Sequence, residues 1–302
     1  MQSICIEVSA EYENERIDKY IAASRDDLSR SFIQKLLNGE QISVNDKKVK
    51  ANYRVKSRDC ITFDIPDALE PEIMAEDIPL EILYEDKDVL IVNKPKGMVV
   101  HPAAGHYSGT LVNAVLFHCK DELSGINGVM RPGIVHRIDM NTTGSIIVCK
   151  NDHAHSTIAE QLKEHTITRK YRAIVHGVIK ENEGCVNASI GRHPTDRKKM
   201  STHSVHGKNA VTHYKVLQRF SKYTYVECVL ETGRTHQIRV HMASIGHPLL
   251  GDNVYSNLKN PFILQGQTLH AMTLGFIHPT TKQYIEVEAP IPEYFQHLLN
   301  TL

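Results

Sequence analysis

The sequence predicts an α+β protein with two domains. Candidate helices and alternating strands follow one another in mixed order along the 302 residues, without regular β–α–β units. A chain of this length exceeds one typical domain, and 41% hydrophobic residues supply enough apolar material for a sizeable core. The sequence contains no internal repeat and no low-complexity tract.

Residues 1–65 are predicted to form the smaller domain, with two short helices followed by a hairpin and a strand. Its predicted elements are the helices Arg16–Ala23 and Ser29–Leu37, the hairpin strand Ile42–Val44 and the strand Ile61–Ile65. Ser29 is the expected N-cap of the second helix, and Asn38-Gly39 is expected to end it in the left-handed conformation. Asn45-Asp46 is the predicted hairpin turn.

Residues 66–79 are predicted to connect the two domains. The segment contains three prolines and five carboxylates: Pro66, Pro71, Pro79, Asp67, Glu70, Glu72, Glu76 and Asp77. Proline together with like charges favours an extended, self-repelling chain. Residues 80–302 then form the larger domain.

The larger domain is predicted to mix strands with three helices. The predicted strands are Leu80–Tyr84, Val89–Val92, Lys170–His176, Val211–Leu217, Tyr223–Glu231, Leu269–Phe276 and Tyr284–Glu288. The predicted helices are Thr110–Phe117, Asp152–Glu164 and Glu293–Leu299. Alternation in Tyr223–Glu231 places every second residue on one face, so we expect one side of that strand to be buried.

Charge is distributed unevenly, although the net charge is zero. Residues 64–88 contain ten acidic residues and one basic residue, whereas residues 89–302 contain 23 basic and 15 acidic residues. Residues 192–222, with eight basic residues and one carboxylate, are predicted to be a flexible basic insertion. Two basic regions favour a polyanionic partner, although a solvated charged face would explain either region alone. The predicted phosphate contacts are Arg16, Lys19, Arg30, Lys35, Lys47, Lys48, Arg197, Lys198 and Lys199.

Composition excludes several classes of protein. No run of 18 apolar residues is present and the N-terminus lacks a signal-peptide layout, so we expect a soluble, cytoplasmic protein without a membrane partner. The six cysteines form no C-x-x-C pair, and four of them sit in an apolar, strand-like context, which predicts buried, reduced thiols rather than disulfides or zinc ligands. Histidine spacing matches no common metal template, so no metal site is predicted.

The polar stretch 131–144 is the first candidate for chemistry. It reads R-P-G-I-V-H-R-I-D-M-N-T-T-G, and its polar part, residues 136–144, lies between two apolar runs, Gly133–Val135 and Ser145–Val148, which we interpret as strand ends. Polar groups between buried strands cost stability unless they are used. The alternative is a plain strand–turn–strand in which Asp139 caps the turn.

Three stretches together resemble the RluA-type pseudouridine synthases, which isomerise uridines in ribosomal and transfer RNA. They are H-R-I-D with T-T-G at 136–144, R-K-Y-x-A at 169–173, and G-R-T-H-Q-I-R-V-H at 233–241. The resemblance also includes N-K-P-x-G at 93–97 and covers nearly all of residues 80–300. It implies the pseudouridine-synthase fold, a mixed, mainly antiparallel sheet with flanking helices and a central cleft.

Residues 16–45 resemble the S4 RNA-binding domain, through R-I-D-K-Y-I at 16–21, the second predicted helix and I-x-V-N at 42–45. The two resemblances together point to the RluD branch, which modifies large-subunit ribosomal RNA. Met140-Asn141 departs from the family, which often has a basic and then an acidic residue there. Neither a cofactor nor a nucleotide is implied, because the reaction conserves composition, and we expect a monomer.

The resemblance assigns catalysis to Asp139, Tyr171 and Arg239. Asp139 either attacks C1′ of the ribose or removes the 2′ proton to form a glycal. Arg239 is its salt-bridge partner, and an adjacent guanidinium favours the ionised carboxylate. Tyr171 packs on the everted uracil and is a candidate base for the C5 proton. From the residues alone, Tyr171 would more often be a core residue and Arg239 a surface cation.

The remaining predicted site residues contact the RNA substrate. They are Arg137, His136, Thr142, Arg234, His236 and Gln237. Arg137 resembles the residue that enters the gap left by the base, and its alternative role is a phosphate or carboxylate clamp. His136-Arg137 alone does not indicate a kinase, since no glycine-rich loop or D-F-G accompanies it. The serious rival function is a non-catalytic RNA-binding or ribosome-assembly protein.

Overall fold

The computed structural model describes residues 2–25, 28, 30–65, 73–102, 105–120, 122–126, 132–196 and 198–302, without the side chains of residues 2, 3, 31, 35 and 65. The chain divides into two compact units, Met1–Glu70 and Pro71–Leu302. Ser29, Arg197, residues 66–72 of the predicted connection and the Lys35 side chain therefore lie outside the described part of the chain.

The first unit contains two helices and one antiparallel sheet. Its elements are β1 (Gln2–Glu7), α1 (Ile17–Ser24), α2 (Arg30–Asn38), β2 (Ile42–Val44), β3 (Lys47–Lys48) and β4 (Cys60–Ile65). The strand order is β1-β4-β2-β3. Ile17, Ile33 and Ile61 are fully buried in its apolar core. β1, which pairs with the last strand of the unit, was not predicted.

Two turn predictions in this unit had different outcomes. Asn45 and Asp46 both have positive φ, 50° and 63°, as a two-residue hairpin turn requires. The second helix ends at Asn38, as predicted, but the left-handed conformation expected at Asn38-Gly39 falls at Glu40, whose φ is 55°. The chain passes Gly39 before it turns, and the Gln41 N–H donates to the Leu36 carbonyl at 2.9 Å.

The second unit contains four helices and eleven strands among its described residues. Its strands are β5 (Ile82–Glu85), β6 (Val89–Lys94), β7 (Thr143–Cys149), β8 (Thr168–His176), β9 (Glu183–Asn187), β10 (Gly191–Arg192), β11 (Met200–Ser201), β12 (Val211–Arg219), β13 (Tyr223–Leu230), β14 (Leu269–Ile277) and β15 (Tyr284–Glu288). Its helices are α3 (Leu111–Cys119), α4 (Asp152–Lys163), α5 (Gln237–Ser244) and α6 (Glu293–Thr301).

One large sheet organises this unit, in the order β5-β6-β7-β14-β8-β13-β12-β9, with β15 also paired to β14. Only the β7–β14 pair is parallel among these described strands, so the predicted mixed, mainly antiparallel sheet is confirmed. β13 alternates as expected, with Thr224, Val226, Cys228 and Leu230 buried on one face. No described helix has both the length and the apolar character needed to span a bilayer.

Three sequence expectations for particular segments are wrong. Residues 133–135 form no strand, and only Ile134 makes an isolated bridge, to Val148. Residues 192–222 are not a flexible insertion throughout, because β12 and the β10–β11 pair lie within this range and pair in sheets. Cys5 is exposed, unlike Cys119, Cys149 and Cys228, which are buried and free.

Candidate active site

A cleft of about 970 Å³ opens on the second unit, and a smaller pocket of about 60 Å³ adjoins it. Asp139, Tyr171 and Arg239 all line the smaller pocket. They come from three separate parts of the chain: the loop before β7, strand β8 and helix α5. The fold therefore brings the three predicted catalytic residues into one site.

Arg239 connects two carboxylates. Its Nη1 donates to Asp139 Oδ2 at 2.8 Å, while Nε and Nη2 donate to Asp252 Oδ2 and Oδ1 at 2.7 and 3.0 Å. Burial opposes the charge of Arg239, but the hydrogen bonds and charges of Asp252 and Asp139 raise its pKa above the ordinary value. The guanidinium is therefore a permanent cation beside Asp139, whose side chain is 25% exposed.

The loop that carries Asp139 is held by backbone contacts on both sides. The Thr142 N–H donates to the Asp139 carbonyl at 3.0 Å. Lys94 Nζ, fully buried, donates to the carbonyl of Met140 at 3.0 Å and to those of Pro95 and Met98 at 2.8 Å. Burial lowers the pKa of Lys94 to about 7, an effect that the charge of Asp139 opposes.

The backbone at position 144 requires a glycine. Its φ is +108°, and a Cβ there would lie 2.3 Å from the Ala271 carbonyl oxygen on β14. Gly144 pairs with Ala271 in the one parallel ladder of the described sheet. Only glycine permits this approach, which fixes the first residues of β7, beginning three residues after Met140.

Tyr171 faces the same pocket from strand β8 and is 8% exposed. Burial raises its pKa; the charge of Arg169 opposes this rise, and that of Asp139 adds to it. An aromatic ring beside an ionised carboxylate offers a stacking surface next to a nucleophile or base. The pocket is thus suited to a flat, uncharged ring linked to a carbon that becomes electron-poor.

His236 lies on the other side of the carboxylate, with Nε2 3.8 Å from Asp139 Oδ1. Its Nδ1 is 2.8 Å from the Tyr255 hydroxyl, which also accepts the Met200 N–H at 2.8 Å. If the hydroxyl donates to Nδ1, the Nε2–H faces the carboxylate, which is the electrostatically favourable tautomer. Tyr255 therefore orients His236.

Two predicted substrate contacts make hydrogen bonds within the protein. Gln237 accepts from Thr232 Oγ1 at 2.8 Å and donates to the Val211 carbonyl at 2.9 Å, so its amide holds the loop before α5. His136 Nε2 accepts the Ile147 N–H at 3.0 Å. Burial and the charge of Arg169 lower the pKa of His136 to about 3, so the ring is neutral. Both residues thus make structural contacts and also line the site, Gln237 in the smaller pocket and His136 in the larger cleft.

The other predicted substrate contacts remain on the pocket wall. Arg137 is exposed, Thr142 is buried and accepts from Gln267 Nε2 at 3.0 Å, and Arg234 donates from Nε to the Asn209 carbonyl at 3.0 Å. All three line the small pocket. Arg137 is the one of these three with a side chain that no described hydrogen bond fixes.

The predicted phosphate contacts of the first unit have two kinds of surroundings. Arg16 and Arg30 both bind the buried carboxylate of Asp18, at 3.0 and 2.9 Å, while their side chains stay 41% and 48% exposed. Lys48 pairs with exposed Glu40 at 3.2 Å. Lys19 and Lys47 are exposed. Of the predicted contacts in the second unit, Lys198 is exposed and Lys199 is half-buried. Arg16 and Arg30 thus have a structural partner besides any RNA contact.

Four residues of the site escaped assignment from sequence. Asp252 and Tyr255 follow the apolar run Pro248–Leu250, and an acidic residue directly after Gly251 was the available signal. Lys94 and Arg169 stood inside quoted motifs without a role. Their importance comes from burial, which the sequence does not display.

Two clusters outside the cleft bring three potential metal ligands together. They are Asp86, Asp88 and His278, and Glu85, His118 and Cys119. In the first, His278 Nε2 is 2.7 Å from Asp86 Oδ2, and its Nδ1 accepts the N–H groups of Thr280 and Thr281. Hydrogen bonds within the protein account for this arrangement.

Comparison with known families gives two matches. The family described as RNA pseudouridylate synthase matches residues 88–244, and the S4 domain matches residues 15–61. The first match contains Asp139, Tyr171 and Arg239, and the second covers α1 through the first residues of β4.

Relatives and solved structures are similar over most of the chain. An uncharacterized RNA pseudouridine synthase, YlyB of Bacillus subtilis, is 53% identical over 100% of this chain and 99% of its own length. Ribosomal large subunit pseudouridine synthase D of Zymomonas mobilis is 46% identical over 95% of this chain and 93% of its own. The structure of human RNA pseudouridylate synthase domain containing 1 has a TM-score of 0.58 at 27% identity, over 72% of this chain and 86% of that one.

Proposed function

Since this chain belongs to the RNA pseudouridylate synthase family, and so is an enzyme that converts uridine in RNA to pseudouridine, we propose that its substrate is large-subunit ribosomal RNA and that Asp139 carries the chemistry. Family membership rests on the match over residues 88–244 and on relatives similar along the full chain. It excludes the rival interpretation of a non-catalytic RNA-binding protein.

Two observations support the substrate. The relative from Zymomonas mobilis, similar over 95% of this chain, is named for the large ribosomal subunit. The S4 domain in front of the catalytic unit supplies a second RNA-binding surface, on which Lys19 and Lys47 are exposed for phosphate contacts. Such contacts set affinity for a folded RNA without reading its sequence.

The pairing of Asp139 with Arg239 at 2.8 Å, beside Tyr171, is the observation that carries the mechanism. The bond between C1′ and N1 of the uridine breaks, the base turns, and a bond from C1′ to C5 forms, while the C5 proton leaves and N1 gains one. Asp139 either attacks C1′ or removes the 2′ proton, and both routes require an ionised carboxylate. Arg239 places a fixed positive charge 2.8 Å from that carboxylate, with its Nη1 donating to Asp139 Oδ2.

The recessed carboxylate requires an everted base. A uridine stacked in an RNA helix cannot reach a group at the bottom of a small pocket, so the base must leave the stack at a cost of a few kcal/mol. Stacking on Tyr171 offsets about 1–3 kcal/mol of that cost. We propose that Arg137, which is exposed and lines the pocket, fills the gap left in the RNA.

The experiment is to incubate the protein with large-subunit ribosomal RNA, small-subunit ribosomal RNA and transfer RNA, and to map pseudouridine in each. We expect product in large-subunit RNA, none with Asp139→Asn, and RNA affinity for that variant within about threefold of the parent. Asp77→Asn, a matched change at an exposed carboxylate, is the control and should keep full activity.

Two results would contradict the proposal separately. Product confined to transfer RNA or small-subunit RNA would overturn the substrate and leave the role of Asp139 intact. A fully active Asp139→Asn variant would overturn the mechanism and leave the substrate intact.

A further inference from the structure

Arg169 is a buried cation without a counter-charge. Its side chain is 7% exposed, and Nη2 donates to the carbonyl of Glu231 at 3.2 Å. Nε has no partner, and no carboxylate lies within ion-pair distance, among the residues that the structure describes. The carboxylate of Glu231 itself binds His213 at 2.5 Å. Most of the five N–H donors of this guanidinium are thus left for another acceptor.

The fold directs Arg169 at the cleft. It alternates with Tyr171 on the buried face of β8, and both residues line the cleft of about 970 Å³. Gly233, in the loop before α5, makes room for the guanidinium, since a Cβ there would lie 2.5 Å from Arg169 Nη1. A side chain at position 233 would therefore displace the cation.

The surroundings of Arg169 call for an anion. An unpaired buried charge is unfavourable, and burial lowers the pKa of Arg169 accordingly. His136 beside it is neutral, and Lys163 and Arg234 on the same cleft wall are basic. Asp139, the carboxylate of the cleft, already binds Arg239. A counter-charge for Arg169 must therefore come from a ligand that binds in the cleft.

We propose that Arg169 binds a backbone phosphate of the RNA strand next to the target uridine. This inference rests on the proposed function, because it requires RNA in the cleft. A phosphodiester carries the full negative charge that the buried guanidinium lacks, and its two free oxygens match the planar fork of arginine. With Tyr171 two residues away on the same strand face, this contact fixes the distance between the phosphate and the stacked base.

The competing explanation is a purely structural one. Arg169 would then hold the Glu231 carbonyl and pack over Gly233, with no role toward RNA. Replacing Arg169 removes both its hydrogen bond to the Glu231 carbonyl and an unfavourable buried charge, so stability does not separate the two explanations. The salt dependence of RNA binding separates the two explanations, because each phosphate contact releases condensed counterions, whereas a residue with a purely structural role releases none.

The test measures the affinity of the full chain for an RNA stem-loop that the parent enzyme modifies, as a function of KCl concentration. Every protein carries Asp139→Asn so that the RNA stays unmodified. We expect Arg169→Gln to weaken binding roughly tenfold and to reduce the slope of log K against log salt by about 0.7–0.9. Arg172→Gln, on the opposite face of the same strand and paired with Glu227, is the matched control and should leave the slope unchanged.

A second measurement identifies the phosphate. Neutral methylphosphonate linkages are introduced one at a time in the RNA. One position beside the target uridine should weaken binding to the parent about tenfold but cause little further loss with Arg169→Gln. If Arg169→Gln does not fold, Arg169→Lys replaces it, and the loss at that linkage should then shrink because a single ammonium replaces the fork.

Three results would overturn the inference. They are an unchanged salt slope for Arg169→Gln, losses at every linkage that are the same with and without the Arg169 substitution, and a slope reduced equally by Arg172→Gln. Each of these leaves the proposed function standing, because conversion of RNA by the unsubstituted enzyme is measured separately.

Discussion

Arg239 donates two hydrogen bonds to Asp252, from Nε to Oδ2 at 2.7 Å and from Nη2 to Oδ1 at 3.0 Å. The Asp252 side chain is fully buried, and its Oδ1 also accepts the N–H groups of Val254 and Tyr255. A bidentate pair fixes the plane of the guanidinium, so the third donor, Nη1, points at Asp139. Asp252 therefore sets the position of the charge beside the reacting carboxylate.

Replacing Asp252 should damage both stability and rate. Asp252→Asn keeps the shape but leaves the buried guanidinium with one uncompensated side, which costs about 3–5 kcal/mol of folding free energy. Misplacement of Arg239 by a fraction of an ångström should lower the rate on the order of 100-fold. Thermal denaturation and single-turnover pseudouridine formation measure the two effects.

The control is Asp88→Asn, which removes another buried carboxylate of the same unit, bonded to Asn151 and remote from the lining of the cleft. It should lower stability and keep the rate of the folded enzyme. Equal rates for Asp252→Asn and the parent would show that Asp139 works without an oriented guanidinium.

Tyr171 is expected to contribute a ring and a hydroxyl to different steps. Tyr171→Phe keeps the stacking surface, so RNA affinity should stay within about threefold, while loss of a proton-accepting group lowers the rate by about 10²–10⁴-fold. Tyr171→Leu should also lose about 1–3 kcal/mol of stacking. Equilibrium binding and single-turnover rates on the same RNA separate the two. A Phe variant as fast as the parent would remove the hydroxyl from the mechanism.

Lys94 is expected to hold the loop that positions Asp139. Its ammonium binds three carbonyl oxygens, including that of Met140, the residue after the reacting carboxylate. Lys94→Met fills the space but leaves these carbonyls unpaired, which costs about 3 kcal/mol and lowers Tm by roughly 6–12 °C. Lys96→Met, at a neighbouring lysine whose Nζ lies over the Tyr294 ring, is the control. Equal melting temperatures for the two variants would contradict this role.

Sequence reasoning succeeded where dense motifs carried the information. Asp139 and Arg239 lie 100 residues apart, and only the family resemblance linked them before the structure placed them in contact. The polar stretches around both residues stand out against apolar surroundings, which is why their importance was visible. Long strands such as β8 and β14 were also predictable, because alternating or continuous apolar residues mark them in the sequence.

The sequence did not reveal roles that single residues acquire only through tertiary contacts. Asp252 is one acidic residue among 35, and only burial against Arg239 distinguishes it. β1 went unpredicted because its partner β4 lies more than 50 residues further along the chain. Gln237, predicted as a substrate contact within the G-R-T-H-Q stretch, lines the small pocket, and its amide also holds the loop before α5.

Cys5 and Cys60 are expected to form a disulfide when an oxidant is added. Their Sγ atoms lie 2.9 Å apart on neighbouring strands of the first unit. With oxidised glutathione, the two thiols would lose two protons and two electrons to the oxidant and form one bond. Closing a loop of this length stabilises the folded state by about 4 kcal/mol in the chain-entropy model. Mass spectrometry of unreduced peptides detects the bond.

Cys185 is the matched control for this chemistry, because it is exposed and has no described cysteine beside it. After oxidation and without added reductant, iodoacetamide should label Cys185 but neither Cys5 nor Cys60. Equal labelling of all three would contradict the expected bond.

Acid should destabilise the first unit through Asp18. Burial raises the pKa of this carboxyl, but hydrogen bonds from Arg16, Gln34 and Arg30 outweigh it, so the folded pKa lies well below the ordinary value. A carboxyl whose pKa is lower in the folded state adds stability that is present above its unfolded pKa of about 4 and lost as pH falls below it. The first unit should therefore weaken below about pH 4.

Asp18→Asn removes this dependence and identifies its source. At pH 7 the variant should be less stable by about 1.5–3 kcal/mol, since charge-assisted hydrogen bonds are lost, and the difference from the parent should shrink as pH falls from 5 to 2. Hydrogen exchange of residues 30–65 in the full chain measures the local stability at each pH. Asp64→Asn, at an exposed position on β4, should follow the parent. A constant difference between Asp18→Asn and the parent across this range would mean that the Asp18 carboxyl titrates alike in the folded and unfolded chain.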